Sequence, residues 1–112
     1  MIKIDNNVIL LDYIKGIRVK SNEGIVKFYF SDRTAKTFAD DYHMSEVLDT
    51  IVNKGFIQVD DNYINPSLVK GFENLQDGRI KIYFPDTTAI VLYLDDDAFE
   101  DLVSFFERLV NS

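Results

Sequence analysis

The sequence contains no cysteine, which excludes disulfides, thiolate catalysis and cysteine-ligated metal and leaves a cytoplasmic setting as the expectation. It has a single histidine, His43, so no histidine-built metal set or catalytic triad can form within one chain. His43 follows an expected strand end and reads as a solvated helix-start residue. Residues Met1 to Asn7 carry one lysine and no apolar block of signal length. The longest apolar run, Ala89 to Leu94, is far too short to span a bilayer, so no membrane contact is expected. No glycine-rich phosphate loop occurs, since Gly24 and Gly78 stand alone in turn sequences. The pairs Asp40/Asp41 and Asp60/Asp61 and the run Asp95 to Asp97 lack the alternating ligands and central glycine of a calcium loop. No catalytic residue, cofactor site or metal site is therefore assigned.

What is present is enough apolar material to fold, with 46% hydrophobic and 13% aromatic residues in 112. That length predicts one domain, residues 1–112, around one core. The chain also aligns on itself. "KGIRVKSNEGIVKFYFSDRTA", residues 15–35, returns as "KGFENLQDGRIKIYFPDTTA", residues 70–89. An offset of 55, then 54, pairs Ile2 with Ile57, Asp5 with Asp60, Gly16 with Gly71, Lys27 with Lys81, Tyr29 with Tyr83 and Asp41 with Asp95. The reading is two repeats, 1–55 and 56–112, related by a pseudo-twofold and closing over a shared core.

Hydrophobic period sets the elements of each repeat. Val26, Phe28 and Phe30 alternate with Lys27 and Tyr29, as Ile80, Ile82 and Phe84 alternate with Lys81 and Tyr83, which predicts half-buried strands. Turn residues flank them, and a further strand follows at Ala35–Phe38 or Ala89–Leu94. Helical spacing then takes over in Met44, Val47, Leu48 and Ile51, and in Phe99, Leu102, Val103, Phe106 and Leu109. Asp97 with Glu100 has capping-box spacing, and Asp41 or Ser45 is the candidate cap of the first helix. The openings "IKIDNNVIL" and "IQVDDNYIN" read as a strand bent at Asp-Asn, and Pro66 keeps its surroundings off a central ladder. The fold class expected is α+β: a tandem duplication of a three- to four-stranded β-meander plus one C-terminal helix, mostly antiparallel, with the helices on the sheet.

Charge divides the two halves. Residues 1–55 hold 8 acidic and 8 basic groups, and residues 56–112 hold 11 and 4, which accounts for the net charge of −7. Arg18, Arg33 and Lys36 correspond to Glu73, Thr87 and Ile90, and "AKTFAD" becomes "AIVLYL". The apolar second strand is either central to the sheet or part of an exposed patch. The basic-aromatic faces Lys27/Tyr29 and Arg79/Lys81/Tyr83 have the composition of a single-strand binder, against which stand ordinary cross-strand pairing and a net charge that repels phosphates.

The segment "INPSLVKGF", followed by a hairpin and a short closing helix, resembles the small flagellar-associated FlbD-type proteins over one repeat at a time. It departs from them at the hairpin, where "FPDTT" replaces an Asn-Gly turn, and no functional residue is carried across.

These features predict a non-enzymatic protein–protein interaction module, a homodimer with no direct nucleic-acid binding. Ile90, Leu92, Tyr93, Tyr29 and Tyr83 are the expected contact residues, with Asp95, Asp96, Glu100 and Asp101 for a partner of basic surface. Two alternatives stand beside it. One is an acidic inhibitor of phage counter-defence type that mimics nucleic acid, and the other is a small-ligand binder between the repeats.

Overall fold

The computed structural model describes residues 1–110, and side chains as far as residue 108, so that Leu109 of the expected apolar helix face lies outside the described side chains. The protein is α+β, with ten strands in antiparallel sheets and two α-helices among the described residues. In chain order the strands are β1 Ile2–Ile4, β2 Asn7–Ile9, β3 Ile14–Lys20, β4 Ile25–Phe30 and β5 Ala35–Ala39, followed by helix α1, Tyr42–Asn53. Then come β6 Ile57–Val59, β7 Asn62–Ile64, β8 Gly71–Gln76, β9 Arg79–Tyr83, β10 Ala89–Tyr93 and helix α2, Asp96–Val110. Both halves run in the same order apart from one extra 3-10 turn, Ser21–Glu23, in the first. The compact units nevertheless divide elsewhere, as Met1–Val69 and Lys70–Ser112, so element order alone does not establish the duplication expected from sequence.

In the first unit the opening segment is a hairpin, where one bent strand was expected. Ile4 pairs with Asn7, leaving a two-residue loop in which Asp5 takes φ 54°, and Val59 pairs with Asn62 around Asp60 at φ 53°. Aspartate tolerates the left-handed region better than most side chains, which is why the chain reverses there instead of bending. The β6–β7 hairpin joins a five-stranded sheet in the order β5-β4-β3-β7-β6. Gly16 of β3 permits that junction, because a Cβ there would meet the Tyr63 carbonyl oxygen at 3.3 Å. Asn65 then fastens the hairpin: its side chain is buried, donates to the Ile14 carbonyl at 2.9 Å, and accepts from the Ser67 N–H and hydroxyl at 3.1 and 2.7 Å. Pro66 follows as the first residue of a 3-10 turn, off the ladder.

The core of this unit takes the alternate residues Ile17 of β3, Val26 and Phe28 of β4 and Phe38 of β5, joined by Ile2, Ile4 and Ile9 of the first hairpin and by Met44, Leu48 and Ile51 of α1. Phe28 and Phe38 meet edge to face at 5.3 Å. Burying a side chain of that size contributes roughly 1.5–3 kcal/mol. Helix α1 begins where the Asp41 carboxylate accepts from the N–H groups of His43 and Met44, so Asp41 and not Ser45 is the cap.

The second unit contains the sheet β10-β9-β8 and α2. Ile80, Ile82, Leu92, Leu102 and Phe106 are buried, and Phe72 stacks on Phe106 at 5.1 Å. The cap of α2 is Asp95, whose carboxylate accepts from the Ala98 N–H at 2.8 Å, so the helix starts two residues before the expected Asp97 box. Strand β10 is an edge strand of its sheet and not a central one.

Candidate functional site

Strand parity decides which side chains share a face, since successive residues point to opposite sides and directly paired residues to the same side. In the first unit the sheet face opposite the core carries one continuous cross-strand row. Thr37 of β5 pairs with Lys27 of β4, Lys27 with Arg18 of β3, and Arg18 with Asn62 of β7. Arg18 and Thr37 are exposed, and Lys27 and Asn62 half-buried. Along the strands from this row lie Lys20 and Tyr29, the Tyr29 ring being covered by Lys27 Nζ at 5.3 Å. Among the described residues, no carboxylate occupies a strand position of this face. At its margin Glu23 of the β3–β4 connection lies 3.9 Å from Lys20 Nζ, and Asp60 and Asp61 of the β6–β7 turn line the same hollow as Arg18 and Lys20. Toward β6 the same face turns apolar, with Val59 and Ile64 buried, so the exposed part is the one built on β3, β4 and β5.

Two cations directly opposite each other on a sheet destabilise it relative to a neutral pair. Arg18 and Lys27 stand in that relation without a carboxylate between them. The second unit resolves the same problem differently. At the matching register Glu73 pairs with Lys81 and Val91 with Lys81, and Glu73 Oε2 accepts the Tyr83 hydroxyl at 2.9 Å. Its face sets a carboxylate directly across from the lysine, with an apolar residue on the lysine's other side.

The residues singled out in the sequence do not form one surface. Leu92 is buried and Ile90 half-buried on the core side of β10, whereas Tyr93 is 74% exposed on the opposite side. Tyr83 shares that opposite side with Tyr93 but is engaged by Glu73. Tyr29 belongs to the first unit. Asp95 is occupied as a helix cap, and Asp96, Glu100 and Asp101 are exposed on α2. The row Thr37–Lys27–Arg18–Asn62 was missed except for Lys27. Its signal was the absence of a carboxylate at alternate positions of "GIRVK" and "IVKFY", which becomes visible only once β3 and β4 are put in register.

Other groups are accounted for locally. A cavity of about 540 Å³ in the first unit is lined by residues of β1 and α1, with Asp41, His43 and Glu46 at its polar side. No group of three His, Cys, Asp or Glu converges on a metal position among the described residues. His43 is exposed, its ring tilted against that of Tyr42 with centroids 4.0 Å apart. The Asp32 carboxyl is held below its ordinary range by hydrogen bonds from the Thr34 hydroxyl and N–H, and burial together with nearby carboxylates pushes the Tyr63 phenol up. Among the described residues, no helix is long and apolar enough to cross a membrane.

No family model matches the chain, so the FlbD-type resemblance gains no support, and no curated protein matches it. Among solved structures it is similar to the LytTr DNA-binding domain of a Bacillus cereus protein described as a methyl-accepting/DNA response regulator. The likeness has a TM-score of 0.63 at 11% identity and covers 98% of this chain and 94% of that one. At that identity it shows a common fold. It overturns two expectations: the protein–protein interaction module, with its inhibitor and ligand-binder alternatives, and the partner assignment that excluded direct nucleic-acid contact. Net charge alone does not decide the matter, because contact is governed by the charge of the face that meets a ligand.

Proposed function

We propose that this chain is a nucleic-acid-binding domain, non-catalytic and cytoplasmic, that meets DNA through the exposed β3–β4–β5 face of its first unit. The observation that supports this most strongly is the opposed pair Arg18 and Lys27 on a face free of strand carboxylates, in a protein whose net charge is −7. A polyanion laid on that face would remove the repulsion between the two cations and release counterions from its phosphates. Thr37 and Asn62 extend the same row with neutral hydrogen-bonding groups of the kind that position phosphates. The shared fold with a DNA-binding domain points the same way.

The remaining acidic surface is compatible with this reading. Its carboxylates concentrate at turns and on α2, where Asp95 to Asp97 sit at the positive end of the helix dipole. Acidic surface elsewhere lowers non-specific association without discharging the basic face.

The test is fluorescence anisotropy of labelled duplex DNA with the full chain at low salt. Saturable binding that Arg18→Glu and Lys27→Glu each reduce at least tenfold is the expected result, with far-UV circular dichroism unchanged. Absence of binding to duplex or single-stranded DNA at millimolar protein would end the proposal.

A further inference from the structure

We infer that the Thr37–Lys27–Arg18–Asn62 row grips the phosphodiester backbone without reading bases, so that this face contributes affinity and no sequence preference; the inference rests on the DNA-binding reading above. Position within the sheet carries it. Arg18 and Lys27 lie on β3 and β4, which are interior strands: β4 has β5 and β3 on its sides, and β3 has β4 and β7. Neighbouring strands are about 4.8 Å apart, so the five-stranded sheet is roughly 19 Å across between its outer strand axes. The major groove is about 12 Å wide and the minor groove about 6 Å, enough for a helix or a two-stranded ribbon. An interior strand cannot reach base edges without its neighbours entering too. The face therefore rests on the phosphate ridges.

The aromatic residue beside the row supports the same conclusion for single strands. A stacking platform needs an open ring face. Lys27 Nζ lies over the Tyr29 ring, and Tyr29 is only half-exposed, so the ammonium stands where a base would have to go. The cation is presented to a phosphate and the ring supports it from below. In the second unit Glu73 occupies the position equivalent to Arg18, so the corresponding face has no such grip.

The experiment uses the full chain with two labelled duplexes of unrelated sequence and one single strand of the same length, over a salt series. The two cations of the row, Arg18 and Lys27, imply a logarithmic slope near −1.8, or a loss of about 12-fold in duplex affinity from about 50 to 200 mM salt. Arg18→Ala should reduce that loss to about 3.5-fold. The ratio of affinities for the two duplexes should stay within twofold of the wild-type ratio, and Tyr29→Ala should alter single-strand binding less than threefold. A tenfold change in the duplex ratio on Arg18→Ala would mean that bases are read. An unchanged slope would mean that the grip is elsewhere, and a tenfold loss of single-strand binding on Tyr29→Ala would make the face a stacking platform. Each of these overturns the inference while leaving DNA binding in place, whereas failure of every probe to bind overturns the reading beneath it.

Discussion

Gly78 and Gly24 occupy equivalent turns, and replacing each by alanine separates two physical costs. Both have positive φ, 77° at Gly78 and 65° at Gly24, so a side chain pays the left-handed penalty at either site, about 1–2 kcal/mol. Alanine recovers part of this, about 0.4–1 kcal/mol, by restricting the unfolded chain. Gly24→Ala should therefore cost about 1 kcal/mol, because a Cβ there meets nothing within 4 Å. At Gly78 the Cβ would lie 2.6 Å from the Leu94 carbonyl oxygen, a backbone atom that must retreat by about 0.8 Å to reach ordinary contact. Leu94 also donates its N–H to the Gly78 carbonyl at 2.7 Å, so the retreat strains the bond that closes the end of the β9–β10 ladder. Overpacking adds about 1–3 kcal/mol, which brings Gly78→Ala to about 3 kcal/mol. Native-state hydrogen exchange is the suitable assay, because it reads each compact unit by its own amides. Protection in β9 and β10 should fall about 30-fold more for Gly78→Ala than protection in β3 and β4 falls for Gly24→Ala. Equal losses at the two glycines would refute the steric component.

Three further outcomes follow from local geometry. Asn65→Ala should destabilise the first unit by about 2–3 kcal/mol, measured by urea midpoint, because it leaves the buried Ile14 carbonyl without its side-chain donor; Asn65→Asp should be no milder, since a carboxylate cannot donate to that carbonyl. Thr87 holds φ 72° with a β-branched side chain in the β9–β10 turn, so Thr87→Gly should stabilise the second unit by about 1 kcal/mol in the same assay, and a loss of stability would show that the turn is not strained. The raised Tyr63 phenol means that the folded state holds its proton more tightly than the unfolded state, whose value is 10.0. This contribution is complete below pH 10 and is lost as pH rises through the folded value, so stability should fall above pH 10 and fall less steeply in Tyr63→Phe.

Much of the fold was legible from periodicity. Alternation in Val26–Phe30 and Ile80–Phe84 identified β4 and β9 with their buried sides, and the change to helical spacing identified both helices. The opening hairpins were not legible, because their reversal depends on Asp5 and Asp60 taking a conformation usually marked by glycine. Nor was the pairing of β7 with β3, which joins residues separated by more than forty positions and leaves no local pattern.

The residues singled out as contacts are dispersed for a related reason, which also bears on summed charge. Ile90, Leu92 and Tyr93 are neighbours in sequence, but parity sends Leu92 into the core and Tyr93 to solvent, so a run that reads as one patch is two surfaces. The same parity separates the sign of charge. In "GIRVK" and "IVKFY" every inward position is apolar, leaving Arg18, Lys20 and Lys27 to collect on one side, while the turns take Glu23 and Asp32. A count over residues 1–55 returns zero because it adds the turns to the face. Acidic groups do stand at the strand ends, Glu23 at 3.9 Å from Lys20 and Asp60 and Asp61 around the same hollow, so the cationic character belongs to the strand positions of the face and not to its margin. A chain of net charge −7 can therefore present a locally cationic surface wherever strand register brings alternate lysines and arginines together, as it does for Arg18 and Lys27.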